Sequence, residues 1–168
     1  ASMTAMTLVR SIADARRVLA PWRVGRLGFV PTMGALHEGH VSLFRLARAE
    51  CTAVAASIFV NPTQFNDPAD LAAYPRPESR DAAMAESAGV DVLFVPSAEE
   101  IYPPARATAI DAGGVALGYE GAHRPGHFAG VALVCVKLFN IVGPHIVYLG
   151  QKDAQQVAVL TGPQGGSR

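Results

Sequence analysis

The stretch LGFVPTMGALHEGHVSLFRLARAECTAVAASIFV, residues 27–60, changes its hydrophobic period twice. Residues 27–30 are a short apolar run suited to a buried strand, and a glycine-bearing turn follows. From Gly39 onward, Val41, Leu43, Phe44, Leu46 and Ala47 recur at the spacing of an amphipathic helix. Residues 52–60 then form a second apolar run rich in β-formers. The order is strand, helix, strand.

The same alternation extends outward in both directions. Residues 8–19 have the apolar spacing of a helix that Pro21 closes. Residues 61–77 are dense in turn formers, with room for a helical turn at 68–73, and are long for a connection, which hints at function. A helix over 78–88 ends at Gly89, and 90–95 reads as another buried strand. Residues 107–112 suit a short strand before the glycine-rich loop 113–126, and 128–142 form a helix apolar nearly all round. A strand at 145–149 precedes a helix over 153–160 that the tail TGPQGGSR stops. Strands apolar on both faces and alternating with helices predict an α/β fold: a Rossmann-like, doubly wound, mainly parallel sheet with helices on both faces. Ligand sites in such sheets lie at the carboxyl ends of the strands, so PTMGALHEGH, NPTQF and GQKD are expected to meet in space.

A chain of 168 residues, half of them hydrophobic, can bury one sizeable core. Fourteen basic and fourteen acidic residues balance, so no charge footprint points to nucleic acid or an anionic membrane, and an anionic ligand needs a local site. Cys51 and Cys135 sit among apolar neighbours and read as buried small hydrophobes, which favours a reducing, cytoplasmic compartment. The opening ASMTAMTLVR lacks the pattern of a secretory signal, and Ala1 and Ser2 before Met3 read as a cloning scar. The most apolar segment, 128–142, is too short for a bilayer span and carries Lys137. The expected organisation is one domain over residues 1–160 and a non-native or disordered tail over 161–168.

His37 and His40 allow three readings. As metal ligands they fall one residue short of the HExxH spacing and lack a local third ligand. They also suit ordinary loop histidines. As part of a phosphate site they would stand where unpaired amides at a helix start favour anions, with Gly34 and Gly39 letting backbone come close to an oxygen-rich ligand. Neither a GxxxxGK[ST] loop nor a GxGxxG fingerprint is present.

PTMGALHEGHVSL resembles the HIGH-type signature of the nucleotidyltransferase superfamily, in the form typical of the pantoate-beta-alanine ligase (pantothenate synthetase) family. The resemblance continues through SIFVNPTQF, DLAAYPR, GVDVLFVPS, EGAHRPGHFAGV and GQKDAQQ, across residues 30–156. It implies ATP-dependent condensation of pantoate with β-alanine through a pantoyl adenylate, releasing pyrophosphate and AMP, with Mg²⁺ accompanying ATP and no dedicated metal ligands. By position, Met33, Gly34, Ala35, Leu36, His37, Glu38, Gly39 and His40 correspond to the ATP-binding turn, and Gly150, Gln151, Lys152 and Asp153 to a second ATP segment. His37, His40 and Lys152 fall on the catalytic positions; Gln64 on one that contacts both pantoate and β-alanine; Gln156, Pro31 and Met33 on pantoate contacts; Asn61 and Tyr74 on supporting ones.

Gln151 and Ala154 depart from the family's usual acidic and aromatic residues, and the loop of His123, Arg124 and His127 is expected near the site or a subunit edge. The resemblance also implies a homodimer. The family's carboxyl-terminal lid domain has no counterpart here, so weak or no turnover is expected of this chain. Two alternatives stand beside this reading: a non-catalytic nucleotide-binding or dimerisation module, and a different nucleotidyltransferase of the same superfamily.

Overall fold

The computed structural model describes residues 5–104 and 127–150, with the side chains of 127–132 outside that description. Five strands, β1 (Thr7–Val9), β2 (Leu27–Thr32), β3 (Ala53–Ile58), β4 (Val92–Phe94) and β5 (Ile146–Val147), form one sheet in the order β1-β4-β3-β2-β5. Every pairing is parallel. The helices are α1 (Ile12–Leu19), α2 (Glu38–Glu50), α3 (Pro68–Ala73), α4 (Glu78–Ser87), α5 (Ala98–Ile101) and α6 (His127–Val142).

Alternation along the strands shows why helices cover both faces. Leu27, Phe29, Ala53, Ala55, Val92 and Phe94 join one core cluster with Leu19 of α1 and Leu138 and Ile141 of α6. Val30, Val54, Ala56 and Leu93 join a second with Phe44 and Ala47 of α2 and Ala85 of α4. Phe29, Phe44 and Leu93 are each 0% exposed, and burial of such a side chain contributes about 1.5–3 kcal/mol. From β2 the chain runs to β3 and β4 on one side, and β5 returns on the other. The reversal makes the carboxyl ends of β2 and β5 the switch point where a ligand crevice opens.

Two local readings are corrected. Residues 7–9 form edge strand β1, with Leu8 in register with Leu93; the helix starts at Ile12, because the Ser11 side chain accepts from Asp14 N and caps it there. The helix ends at Leu19, ahead of Pro21, as expected; the chain then runs on in a 3-10 turn, Ala20–Val24, near whose start the missing N–H of Pro21 costs nothing. Ala98–Ile101 is helical where no helix was expected, capped by the Ser97 side chain accepting from Glu100 N. Gly89 does end α4, at φ 100, with its N–H donating to Glu86 O and that of Val90 to Ala85 O. The expected strand at 107–112 and helix at 153–160 lie outside the described residues.

Just past β5, Tyr148 is 7% exposed, donates to Glu50 Oε1 at 2.6 Å and lies 3.4 Å from Cys51 Sγ. Burial, then the thiol and carboxylate beside it, hold its phenol above the usual value of 10.0. The folded state thus keeps the proton more tightly than the unfolded chain. That contribution is complete below the unfolded value and is lost as pH rises through the folded one. Stability by urea denaturation is therefore expected to decline above about pH 10, and less steeply in Tyr148→Phe. Equal slopes for the two proteins would remove Tyr148 from this dependence.

Candidate active site

The turn after β2 passes through two successive residues in left-handed conformation, Gly34 at φ 80 and Ala35 at φ 50. For Ala35 that costs about 1–2 kcal/mol. A Cβ on Gly34 would lie 3.0 Å from Ile58 and 3.2 Å from Asp81 Oδ2, so glycine is needed for space as well as conformation. Asp81, on α4 and 1% exposed, holds this turn. Its Oδ2 accepts from Ala35 N at 2.8 Å and its Oδ1 from Leu36 N at 2.9 Å. Arg80 Nη2 donates to Leu36 O at 2.7 Å, and Arg80 Nη1 lies 3.6 Å from Asp81 Oδ1. Thr32 Oγ1 accepts from Gly34 N and donates to Ser57 O. The sequence reading assigned Asp81 no role. Its one signal was position: it lies four residues before Ala85, on the buried face of α4.

With the turn fixed, His37 becomes the N-cap of α2. His37 Nδ1 accepts from Gly39 N at 3.0 Å, and His40 Nδ1 accepts from His37 N at 3.1 Å. The two rings meet at a tilt of 43°, with centroids 4.1 Å apart. A Cβ on Gly39 would come within 2.7 Å of the His37 ring, which is why glycine sits there. Both Nδ1 atoms are engaged as acceptors, so in the neutral form each ring carries its proton on Nε2. The arrangement corrects one detail of the phosphate reading: the Gly39 amide pairs with the His37 ring and is not an open donor. Among the described residues no group of three or more His, Cys, Asp or Glu side chains could hold a metal ion.

The NPTQF segment packs against this turn. Asn61, 1% exposed, accepts at Oδ1 from Thr63 N, the Thr63 hydroxyl and the Tyr102 hydroxyl, and donates from Nδ2 to Gln64 Oε1. Asn61 therefore fixes the loop from within. Tyr74 meets Phe65 edge to face at 5.6 Å, and burial, then the charge of Asp81, hold its phenol above the ordinary tyrosine value. Tyr102 escaped sequence reading: it follows the unexpected α5 and reaches Asn61 across 41 residues.

A cleft of about 530 Å³ opens at the switch point, within the size range of small-molecule sites. Pro31, Met33, Gly34, Ala35, His37, Gly39, His40, Gln64, Tyr74 and Gly150 all line it. Its opposite wall includes Val134, Cys135 and Leu138 of α6, a helix read from sequence only as deeply packed. Leu36 is corrected: it is 1% exposed within the core cluster of α2, so its side chain serves packing. Glu38 is exposed on the first turn of α2 and Asn61 lies behind Gln64; neither lines the cleft. Gln151, Lys152, Asp153 and Gln156 lie outside the described residues, as do His123, Arg124 and the side chain of His127. A smaller cavity of about 220 Å³ adjoins the cleft, sharing Met33, Gly34 and Phe59 with it.

Replacing Asp81 by Asn keeps its shape but sets an amide donor against a backbone donor. A loss of about 1–3 kcal/mol is expected, with hydrogen exchange at the Ala35 and Leu36 amides faster by at least roughly tenfold. Unchanged exchange at those two amides would show that the turn holds without the carboxylate.

Comparison with known proteins gives a consistent match. The profile of the Pantoate-beta-alanine ligase family matches residues 7–162. The pantothenate synthetase of Chloroflexus aggregans is 55% identical over 155 residues, covering 92% of this chain and 55% of the relative. That of Gluconobacter oxydans is 60% identical over 134 residues, covering 80% and 49%. Among solved structures, pantothenate synthetase from Thermus thermophilus superposes with a TM-score of 0.86 at 48% identity, covering 92% of this chain and 55% of that one. Pantoate-beta-alanine ligase from Francisella tularensis, complexed with β,γ-ATP and β-alanine, gives 0.88 at 44%, covering 93% and 60%. The chain spans about half the length of the curated relatives it matches.

Proposed function

The chain belongs to the pantoate-beta-alanine ligase family, and we propose that it carries the ATP- and pantoate-binding site for that ligation. In the proposed reaction a pantoate carboxylate oxygen attacks the α-phosphorus of ATP, the bond to the bridging oxygen breaks, and pyrophosphate leaves. The amine of β-alanine then attacks the acyl carbon of the adenylate, loses a proton, and displaces AMP to leave pantothenate. A carboxylate alone is a poor acyl donor; the adenylate supplies the leaving group.

The observation that carries this reading is the pair of histidines whose Nδ1 atoms cap α2, on the same cleft as Gln64. Their Nε2 donors suit phosphate oxygens as charge moves onto the departing pyrophosphate. Gln64 offers a neutral amide to pantoate and β-alanine and leaves the nucleophilic carboxylate its charge. Val134 and Leu138 suit the acid's dimethyl carbon with an apolar wall. Lys152 is proposed as a mobile cation on the phosphates, Asp153 and Gln151 as further nucleotide contacts, and Gln156 as a second pantoate contact. ATP is proposed to enter as its Mg²⁺ complex, with the ion held by phosphate oxygens and water. A cytoplasmic homodimer completes the reading. It rests on the family resemblance.

Incubation with Mg²⁺, ATP and pantoate, followed by a pyrophosphate assay, tests the first step; β-alanine should then yield AMP and pantothenate. His37→Ala and His40→Ala are each expected to slow pantoate-dependent pyrophosphate release by about a hundredfold or more, while stability changes by only about 1 kcal/mol, the worth of a helix cap. Activity and stability lost in proportion would make the pair structural. Binding of ATP and pantoate without release favours the binding-module reading, and release with another acid but not pantoate would sink the substrate assignment.

A further inference from the structure

A glutamine amide can sit in either of two orientations, and they offer a ligand opposite chemistry, one a donor and the other an acceptor. For Gln64 the choice is made by its neighbours. The Thr63 N–H can only donate, and it reaches Asn61 Oδ1 at 3.3 Å. The Thr63 and Tyr102 hydroxyls each lie 2.9 Å from the same oxygen. This assigns the oxygen of Asn61, so its Nδ2 is the atom that faces Gln64, 3.0 Å from Oε1. Gln64 must then keep its oxygen toward Asn61 and turn its NH₂ outward. That nitrogen lies 3.9 Å from Met33 Sδ, a weak acceptor that also lines the cleft. The donor is aimed at the cleft and almost unused.

We propose that Asn61 and Tyr102 are positioning residues that lock Gln64 with its NH₂ toward the cleft, so that this subsite selects ligands presenting an oxygen acceptor, a carboxylate or hydroxyl, at that point. The selectivity rests on the acid-binding reading of Gln64 above; the orientation itself does not. A freely turning glutamine would take donors and acceptors alike, whereas a locked one sets a donor-bearing ligand against a fixed N–H. The lock is stiff because Asn61 is 1% exposed, and the Tyr102 ring is held by Phe59 at 6.2 Å and by Lys137 Nζ, 5.6 Å from its centroid.

Two NMR measurements on the whole chain test the lock. Without ligand, the Gln64 NH₂ protons should show nuclear Overhauser contacts to the Met33 methyl group. Asn61→Asp keeps an acceptor for the Thr63 N–H but places a second acceptor opposite Gln64, so the amide must reverse and those contacts should vanish. Pantoate affinity should fall by roughly tenfold or more in Asn61→Asp and by roughly a few-fold in Tyr102→Phe, which removes one hydrogen bond without volume. ATP affinity should stay within about twofold of the parent, since neither residue faces the histidine pair. Absence of the contacts in the parent chain overturns the lock, as does an Asn61→Asp protein that keeps both contacts and affinity. A parent chain that shows the contacts but does not bind pantoate supports the orientation and overturns the acid-binding reading on which the selectivity rests.

Discussion

The two oxygens of Asp81 hold the peptide N–H groups of Ala35 and Leu36, and the groups on the turn side of the cleft are reached through those bonds. Two left-handed residues in succession are a poor choice for a chain left to itself. The carboxylate stabilises them because it offers paired backbone donors what water would otherwise provide, from a side chain that is itself buried. Once the turn is bent this way, His37 arrives at the N-terminus of α2 with extended backbone, and the reciprocal cap with His40 follows. A carboxylate on α4 thus sets the aim of two imidazoles on α2.

Much of the architecture was legible because it depends on local pattern. Residues 27–60 announced a strand, a helix and a second strand through changes in period, and burial on both faces of β2 and β3 then required helices on both sides. Residues 7–9 were misread because a three-residue edge strand is too short to declare a period, and Leu8 happened to continue the spacing of the helix beyond it. The candidate site was legible where it is carried by contiguous motif: the histidine turn and Gln64. Asp81 and Tyr102 were not, because their roles lie in bonds spanning 45 or 46 and 41 residues, and no pattern within a helix announces which backbone it will meet. Leu36 is the opposite case: within the same turn its side chain lies in the core, and only its backbone takes part in holding the turn.

The cleft joins two unlike surfaces. On one side stand polar groups with fixed orientations: two imidazoles, an amide and a tyrosine. On the other, α6 offers Val134 and Leu138, whose contacts are not directional. Direction is therefore imposed from one wall, while the other excludes water and accommodates shape. This division suits a small ligand with a charged end and a hydrocarbon middle.

The pairing of β5 with β2 has a consequence for the order in which the molecule assembles. β2 and β3 pair through six residues each and are joined by a single helix. β5 contributes only Ile146 and Val147, and its neighbour His145 meets Leu27 across 118 residues of chain. Closing the longer loop costs more entropy and returns fewer bonds, so the turn with its histidines forms on the early part of the sheet and the far wall docks last. A ligand seated between them binds the state in which both are joined, and so stabilises the last-arriving strand against release.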